Sequence, residues 1–231
     1  MLPHPILIIA ATEPELAPAK GALGDSAEEI LFATTGVGKT SAAIETTELI
    51  RELSPGWIIQ TGCSGASPSS ELGIADVGIA NVEIFADEGV ETPAGFLSLK
   101  DLGLPQLERD GELIFNEVPV HPPGADTLEV IRSAVSGQCR VEMARFGTVS
   151  LGTGTDAASH RIEENWGTLL ESMEGAAAAL AAWKQGVRFS EIRGVSNLTG
   201  DRDRESWKID EACEAAALVA LAWIETEKAR T

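Results

Sequence analysis

The segment Ile6–Ala11 is an unbroken apolar run, and helix signals follow it at once from Glu13 to about Leu23. A short run of this kind suits a strand covered on both faces, where no side chain points to water. The pattern then repeats. Ile30–Thr34 reads as a second strand, and Gly36-Val37-Gly38 opens a helix from about Thr40 to Leu53. Trp57–Thr61 reads as a third strand, ending at Gly62-Cys63-Ser64-Gly65. Strand, helix, strand, helix, strand at this spacing implies an α/β fold with a parallel sheet and helices on both faces.

The rest of the chain extends the pattern with one interruption. Val77–Ala86 is expected to form one or two strands. Asp87–Asp126 holds many Gly and Pro residues and few periodic segments, which marks it as a candidate rim for a site. Asp126 fits the N-cap of a helix to about Val135. Phe146–Leu151 reads as a strand, Gly152–Thr155 as a turn, and Asp156 onward as a helix. A Met173–Lys184 helix, a Phe189–Ser196 strand and a helix from about Ile209 to Lys228 complete the chain. No repeat or linker interrupts it, so residues 1–231 are expected to form one domain.

Composition excludes several functions. Lys and Arg total 17 against 36 Asp and Glu, a formal charge of −19, so the chain lacks the basic footprint that nucleic-acid phosphates need. No apolar run reaches the length of a membrane span, and Pro3–Ile9 reads as a strand rather than a leader. Cys63, Cys139 and Cys213 are an odd number, expected in strands or helices; they point to a reducing cytoplasm rather than a disulfide scaffold. His4, His121 and His160 are scattered with no ligand spacing around them, so neither a metal nor another cofactor is expected. Ala33–Thr40 falls one glycine short of a phosphate-binding loop, because Ala33 stands where the backbone must wrap the phosphates. It reads more simply as a tight strand-to-helix turn. Arg202, Arg204 and Lys208 read as a solvated cluster partnered by Asp201 and Asp203.

Three residues carry chemistry. Glu15 lies just past the first buried strand, at the strand edge where α/β proteins bind ligands, and could serve there as a general base. Glu174 stands at the mouth of an Ala-rich helix, where a carboxylate can bind a pair of vicinal hydroxyls. Asn197 follows a strand and carries an amide able to read a purine edge. Taken singly, each has a plainer reading: the acids as first-turn helix residues favoured by the dipole, the Asn as a turn residue. Taken together they suggest a nucleoside pocket.

The segments around them resemble the nucleoside phosphorylase/nucleosidase superfamily, above all its hydrolytic branch of methylthioadenosine/S-adenosylhomocysteine nucleosidases. Ile8–Glu15 is similar to that family's opening strand and catalytic acid, Thr35–Lys39 to its second glycine turn, and Met173-Glu174 to its ribose clamp. Thr61–Ala66 resembles the loop lining sugar and base. The resemblance runs from about Ile6 to Leu221 and is weakest between Asp87 and Arg145. It implies a three-layer α/β/α fold around a central mixed, mostly parallel twisted sheet. It also implies catalytic roles for Glu15 and Asn197 and ribose binding by Met173 and Glu174. Cys63, Ser64, Gly65 and Ser196 would line base and sugar, Arg193 would support the site, and the protein would be a homodimer acting on a small-molecule nucleoside.

Two departures narrow the expectation. Phosphorylases of this kind place an Arg, for phosphate, where this chain has Gln60, which favours water as nucleophile. Adenine-specific nucleosidases have Asp where this chain has Asn197. An Asn can donate to a 6-oxo group while its oxygen accepts from N7–H, so hypoxanthine or guanine is the expected base. Glu171–Ala176 and Arg193–Arg204 resemble one branch in particular, the futalosine hydrolases of menaquinone biosynthesis. A methylthioadenosine, S-adenosylhomocysteine or aminofutalosine nucleosidase, a purine nucleoside phosphorylase, and a non-catalytic nucleoside-binding protein are the competing readings.

Overall fold

Along β1 (Ile6–Ala10) alternate side chains enter two different cores. Ile6, Ile8 and Ala10 pack on one face of the sheet, Leu7 and Ile9 on the other, as the two-residue period of a strand dictates. The computed structural model describes residues 4–24, 29–200 and 204–230. After β1 come α1 (Glu13–Leu23), β2 (Ile30–Thr34), α2 (Lys39–Leu53) and β3 (Trp57–Ala66). The middle of the chain holds β4 (Val77–Phe85), β5 (Gly89–Thr92), β6 (Gly95–Ser98), β7 (Leu107–Arg109), β8 (Glu112–Ile114) and β9 (Glu117–Val118). Then follow α3 (Ala125–Ala134), β10 (Val141–Thr148), α4 (Asp156–Trp166), β11 (Leu170–Ser172), α5 (Gly175–Gln185), β12 (Arg188–Leu198) and α6 (Ile209–Lys228).

The sheet is eight-stranded, in the order β11-β10-β4-β12-β3-β1-β2, with β9 added beside β4. It is mixed and mostly parallel: β12 meets β4, β9 meets β4, and β11 meets β3 antiparallel. Because β11 bonds to both β10 and the end of β3, the sheet curls back on itself at that end. Helices α1, α3 and α6 cover one face, with Leu16, Ile131 and Trp223 fully buried against it. Helices α2 and α5 cover the other through Ala42, Ile50 and the alanines of α5, whose small side chains let that helix lie close to the sheet. This is the expected three-layer α/β/α arrangement. Among the described residues no helix is long and apolar enough to cross a membrane.

Several boundaries differ from the sequence reading, each for a physical reason. Instead of ending at Thr61, β3 continues to Ala66, because β12 pairs with it as far as Ala66 and β11 pairs with Gly65 and Ala66. The strand expected at Phe146–Leu151 is β10, Val141–Thr148, whose half-exposed Glu142 and Arg145 hide it from an apolar-run search. Residues 150 and 151 belong instead to a loop, with the Ser150 amide donating to Asp87 Oδ2 (2.6 Å). Gly124, not Asp126, caps α3, and Asp126 sits in its first turn. Cys139 lies in the connection after α3 rather than in an element. The last expected helix of the Met173 segment starts at Gly175, which leaves Met173 and Glu174 in the link from β11. Asn197 lies inside β12 rather than after it.

Candidate active site

The C-terminal ends of β1, β3 and β12 and the start of α5 surround a cavity of about 610 Å³. Glu15, Cys63, Ser64, Gly65, Met173, Glu174, Arg193, Ser196 and Asn197 all line it, so the structure brings together every residue singled out for the site. The irregular stretch from Asp87 to Asp126 does not line it; among the described lining residues none comes from that stretch. The rim is Ser150–Thr153 instead, held by Asp87 and by Glu171, whose Oε1 accepts from the Thr153 amide (2.9 Å) and hydroxyl (3.1 Å). Burial holds the Glu171 carboxyl above its ordinary pKa, against those two hydrogen bonds.

Glu15 points in from the first turn of α1. Its Oε2 accepts from the Thr12 hydroxyl (2.8 Å), and its Oε1 accepts from the Cys63 amide (3.4 Å) and lies 3.6 Å from Arg193 Nη1. This approach depends on Gly62. With φ at +139° it adopts a conformation that L side chains rarely take, and a Cβ there would stand 2.7 Å from Glu15 Oε1 and 2.9 Å from Arg193 Nη1. Glu174 is buried, its Oε1 accepting from the Gly38 amide (3.0 Å) and its Oε2 from Arg193 Nη2 (3.2 Å). The near-miss phosphate loop thus points a backbone N–H at the site's own carboxylate.

Arg193 ties the acids together. Only 1% exposed, it donates from Nε to Glu191 Oε1 (2.7 Å), from Nη1 to the Cys63 carbonyl (3.1 Å) and from Nη2 to Glu174. Burial opposes its charge, but the Glu191, Glu174 and Glu15 carboxylates overcome that and raise its pKa above the ordinary guanidinium value. Cys63 faces Cys213 of α6, whose thiol hydrogen bond lowers the Cys63 pKa while raising that of Cys213. Helix α6 reaches this depth because Gly194, the β12 partner of Cys63, has no side chain; a Cβ there would lie 1.9 Å from the Ala212 carbonyl oxygen.

Asn197 owes its place to a bulge. Val195 pairs with Ser64 and Asn197 with Gly65, so Ser196 is an extra residue that re-aims its neighbour. The Asn197 Oδ1 accepts from Ser196 Oγ (2.8 Å) and Nδ2 donates to the Leu198 carbonyl (2.8 Å), which leaves one N–H and one oxygen lone pair available. Gly65 lies directly beneath, 3.2 Å from Nδ2 at its missing Cβ.

Gln60 is fully buried, outside the cavity, and neither of its amide atoms has a partner among the described residues. Lys208 forms an exposed ion pair with Glu211, while Arg202 and the Arg204 side chain lie outside the described residues, as do Asp201 and Asp203. His121 is structural: its Nδ1 accepts from the Phe189 amide (3.3 Å). Among the described residues no cluster of His, Cys, Asp and Glu is arranged to hold a metal ion. Sequence reasoning missed Glu191; Gly38 and Gly62 lie in the segments it matched to the family's glycine turn and pocket loop, but their contacts with Glu174 and Glu15 were not foreseen.

Residues 5–225 match the phosphorylase superfamily model. The chain belongs to that superfamily. Its relatives include futalosine hydrolases of Thermus thermophilus, 31% identical over 81% of this chain and 77% of that enzyme, and of Acidothermus cellulolyticus, 34% identical over 72% of this chain. The second match spans 65% of the Acidothermus enzyme's own length. The methylthioadenosine/S-adenosylhomocysteine nucleosidases are a secondary group; that of Geobacillus thermodenitrificans is 26% identical over 87% of this chain and 80% of its own. In fold the chain is similar to the Colwellia psychrerythraea nucleosidase solved with adenine, with a TM-score of 0.78, 19% identity, and 96% and 95% of the two chains covered. A futalosine hydrolase mutant from Helicobacter pylori gives 0.76 and 16%, covering 96% and 99%.

Proposed function

We propose that the protein hydrolyses the N-glycosidic bond of futalosine, releasing hypoxanthine and dehypoxanthine futalosine in menaquinone biosynthesis. One observation carries this reading: Glu15, Glu174 and Asn197, from separate segments, converge on one cavity around Arg193. Glu174 holds the ribose hydroxyls with the carboxylate lone pairs that Gly38 and Arg193 leave open, beside Met173. Glu15 takes a proton from water as it attacks the anomeric carbon. Asn197 meets the departing base with its free N–H toward O6 and its open lone pair toward N7–H. Cys63, Ser64, Gly65 and Ser196 form the wall against which base and sugar lie.

Water is favoured over phosphate because, among the described lining residues, Arg193 is the only cation, and it is committed to carboxylates. Purified protein should therefore release hypoxanthine from futalosine in phosphate-free buffer, and added phosphate should not speed it. A ribose-1-phosphate-type product, or turnover that needs phosphate, overturns the hydrolase reading. The protein acts in the cytoplasm, where its free cysteines stay reduced, and as a homodimer whose second copy covers Leu151, 84% exposed at the cavity mouth.

Base choice follows from Asn197. A 6-amino purine sets donor against donor, a mismatch worth about 1–3 kcal/mol, or roughly ten- to a few-hundredfold in kcat/KM. Futalosine should be preferred by that factor over aminofutalosine and methylthioadenosine, and Asn197→Asp should narrow or reverse the ratio. An unchanged ratio would put the 6-position beyond the reach of Asn197.

A further inference from the structure

Beneath the cavity floor lie two carboxyl groups that the hydrolysis itself does not use. Glu83 of β4 and Glu191 of β12 are both fully buried. Helix α5 begins directly over them: a Cβ on Gly175 would stand 2.2 Å from Glu191 Oε2 and 2.5 Å from Glu83 Oε2. Their hydrogen bonds are unequal. Glu191 Oε1 accepts from the Arg193 guanidinium, whereas among the described residues Glu83 Oε2 accepts only from the Thr148 hydroxyl (3.1 Å), which itself accepts from the Ala176 amide (2.7 Å). One oxygen of each is left over, and neither Glu83 Oε1 nor Glu191 Oε2 has a partner among the described residues. Two buried acceptors side by side are costly, and one proton between them satisfies both.

We propose that Glu83 and Glu191 share a single proton, resident on Glu83, and that this pair positions Arg193 under the reaction centre. The proposal rests on the nucleosidase reading above. Glu191, to which Arg193 bonds, is the acceptor; Glu83, to which no cation among the described residues bonds, is the donor. Arg193 in turn fixes Glu174 for the ribose and stands beside Glu15. The groups facing Glu83 are few: Glu191 and Arg193 from β12, the Thr148 hydroxyl from β10, Gly175 at the start of α5, and Val118 opposite it on β9. Burial first, and the Glu191 charge second, push the Glu83 carboxyl well above its ordinary value, which agrees with the hydrogen-bond pattern. Glu83 and Glu191 are thus positioning residues, and losing the shared proton sets two carboxylates against each other below the active site.

The test is a comparison of Glu83→Ala, Glu83→Gln and Glu191→Gln in full kcat and kcat/KM pH profiles. Glu83→Ala removes the donor and should lower kcat tenfold or more, whereas Glu83→Gln keeps a permanent N–H donor and should restore it to within about fivefold of the parent. Glu83→Gln should also abolish the alkaline loss that comes when the parent's proton leaves. Glu191→Gln should not be rescued, since it removes the carboxylate that holds the Arg193 Nε. Equal behaviour of the two Gln variants, or an unaltered alkaline limb in Glu83→Gln, overturns the assignment.

A readout free of substrate separates this from the nucleosidase reading. At neutral pH the infrared difference between parent and Glu83→Gln should contain the carbonyl stretch of a protonated carboxyl. Its absence refutes the shared proton whatever the enzyme acts on. Thermal unfolding gives the same answer by linkage. A raised folded pKa stabilises the protein at low pH, and that stability is lost as pH rises from the ordinary carboxyl value of 4.5 through the folded one. The parent should show this decline and Glu83→Gln should lack that part of it; matching slopes refute the proposal.

Discussion

Glu15→Gln is expected to lower kcat for futalosine by about 10²–10⁴-fold, the range that general-base catalysis supplies. The amide keeps the size of the side chain, and its oxygen can still accept from the Thr12 hydroxyl or the Cys63 amide. What it loses is the ability to take a proton from water. Glu174, which holds the ribose in this reading, is untouched, because its own donors are Gly38 and Arg193. KM should therefore change little while kcat collapses, the pattern of an interaction that matters in the transition state. Steady-state hypoxanthine release, with the fold checked by circular dichroism, decides the matter. Near-normal turnover in a folded Glu15→Gln protein would reduce Glu15 to a first-turn helix acid.

Taken singly, Glu15 and Glu174 read as first-turn helix acids; what singled them out was the resemblance of Ile8–Glu15 and Met173-Glu174 to the nucleosidase family's opening strand and ribose clamp. The first half of the sheet was legible for a local reason. Ile6–Ala10 is a continuous apolar run because helices bury both of its faces, and Ile30–Thr34, at the sheet edge, stays largely apolar because Ile30 is buried and Leu31, Phe32 and Ala33 pack partly against the two cores. Elements whose stability comes from distant partners were not. Strand β11 is three residues long and exists because β10 and the far end of β3 both bond to it. The bulge at Ser196 is a mismatch between two strands 130 residues apart, and no local pattern encodes it. Arg193 was legible as a supporting residue through the resemblance, but Glu83 and Glu191, far apart in sequence, come together with it only in the folded sheet.

Arg193 is where that convergence is most exposed to test. Arg193→Met fills much of the same volume but leaves Glu191, fully buried, and Glu174, 4% exposed, without their cation. Breaking a buried ion pair from one side costs about 3–5 kcal/mol, because the remaining charge has neither water nor partner. Unfolding should occur at markedly lower denaturant or temperature than in the parent. A second substitution separates support from catalysis. Adding Glu191→Leu replaces a buried ion pair with apolar groups, an exchange that is often neutral or stabilising, so the double variant should regain much of the lost stability. Activity should stay low, because Glu174 still lacks the donor that orients it and the cation beside Glu15 is gone. If the double variant recovers turnover along with stability, Arg193 is a structural counter-ion and the alignment of the two catalytic carboxylates must come from elsewhere.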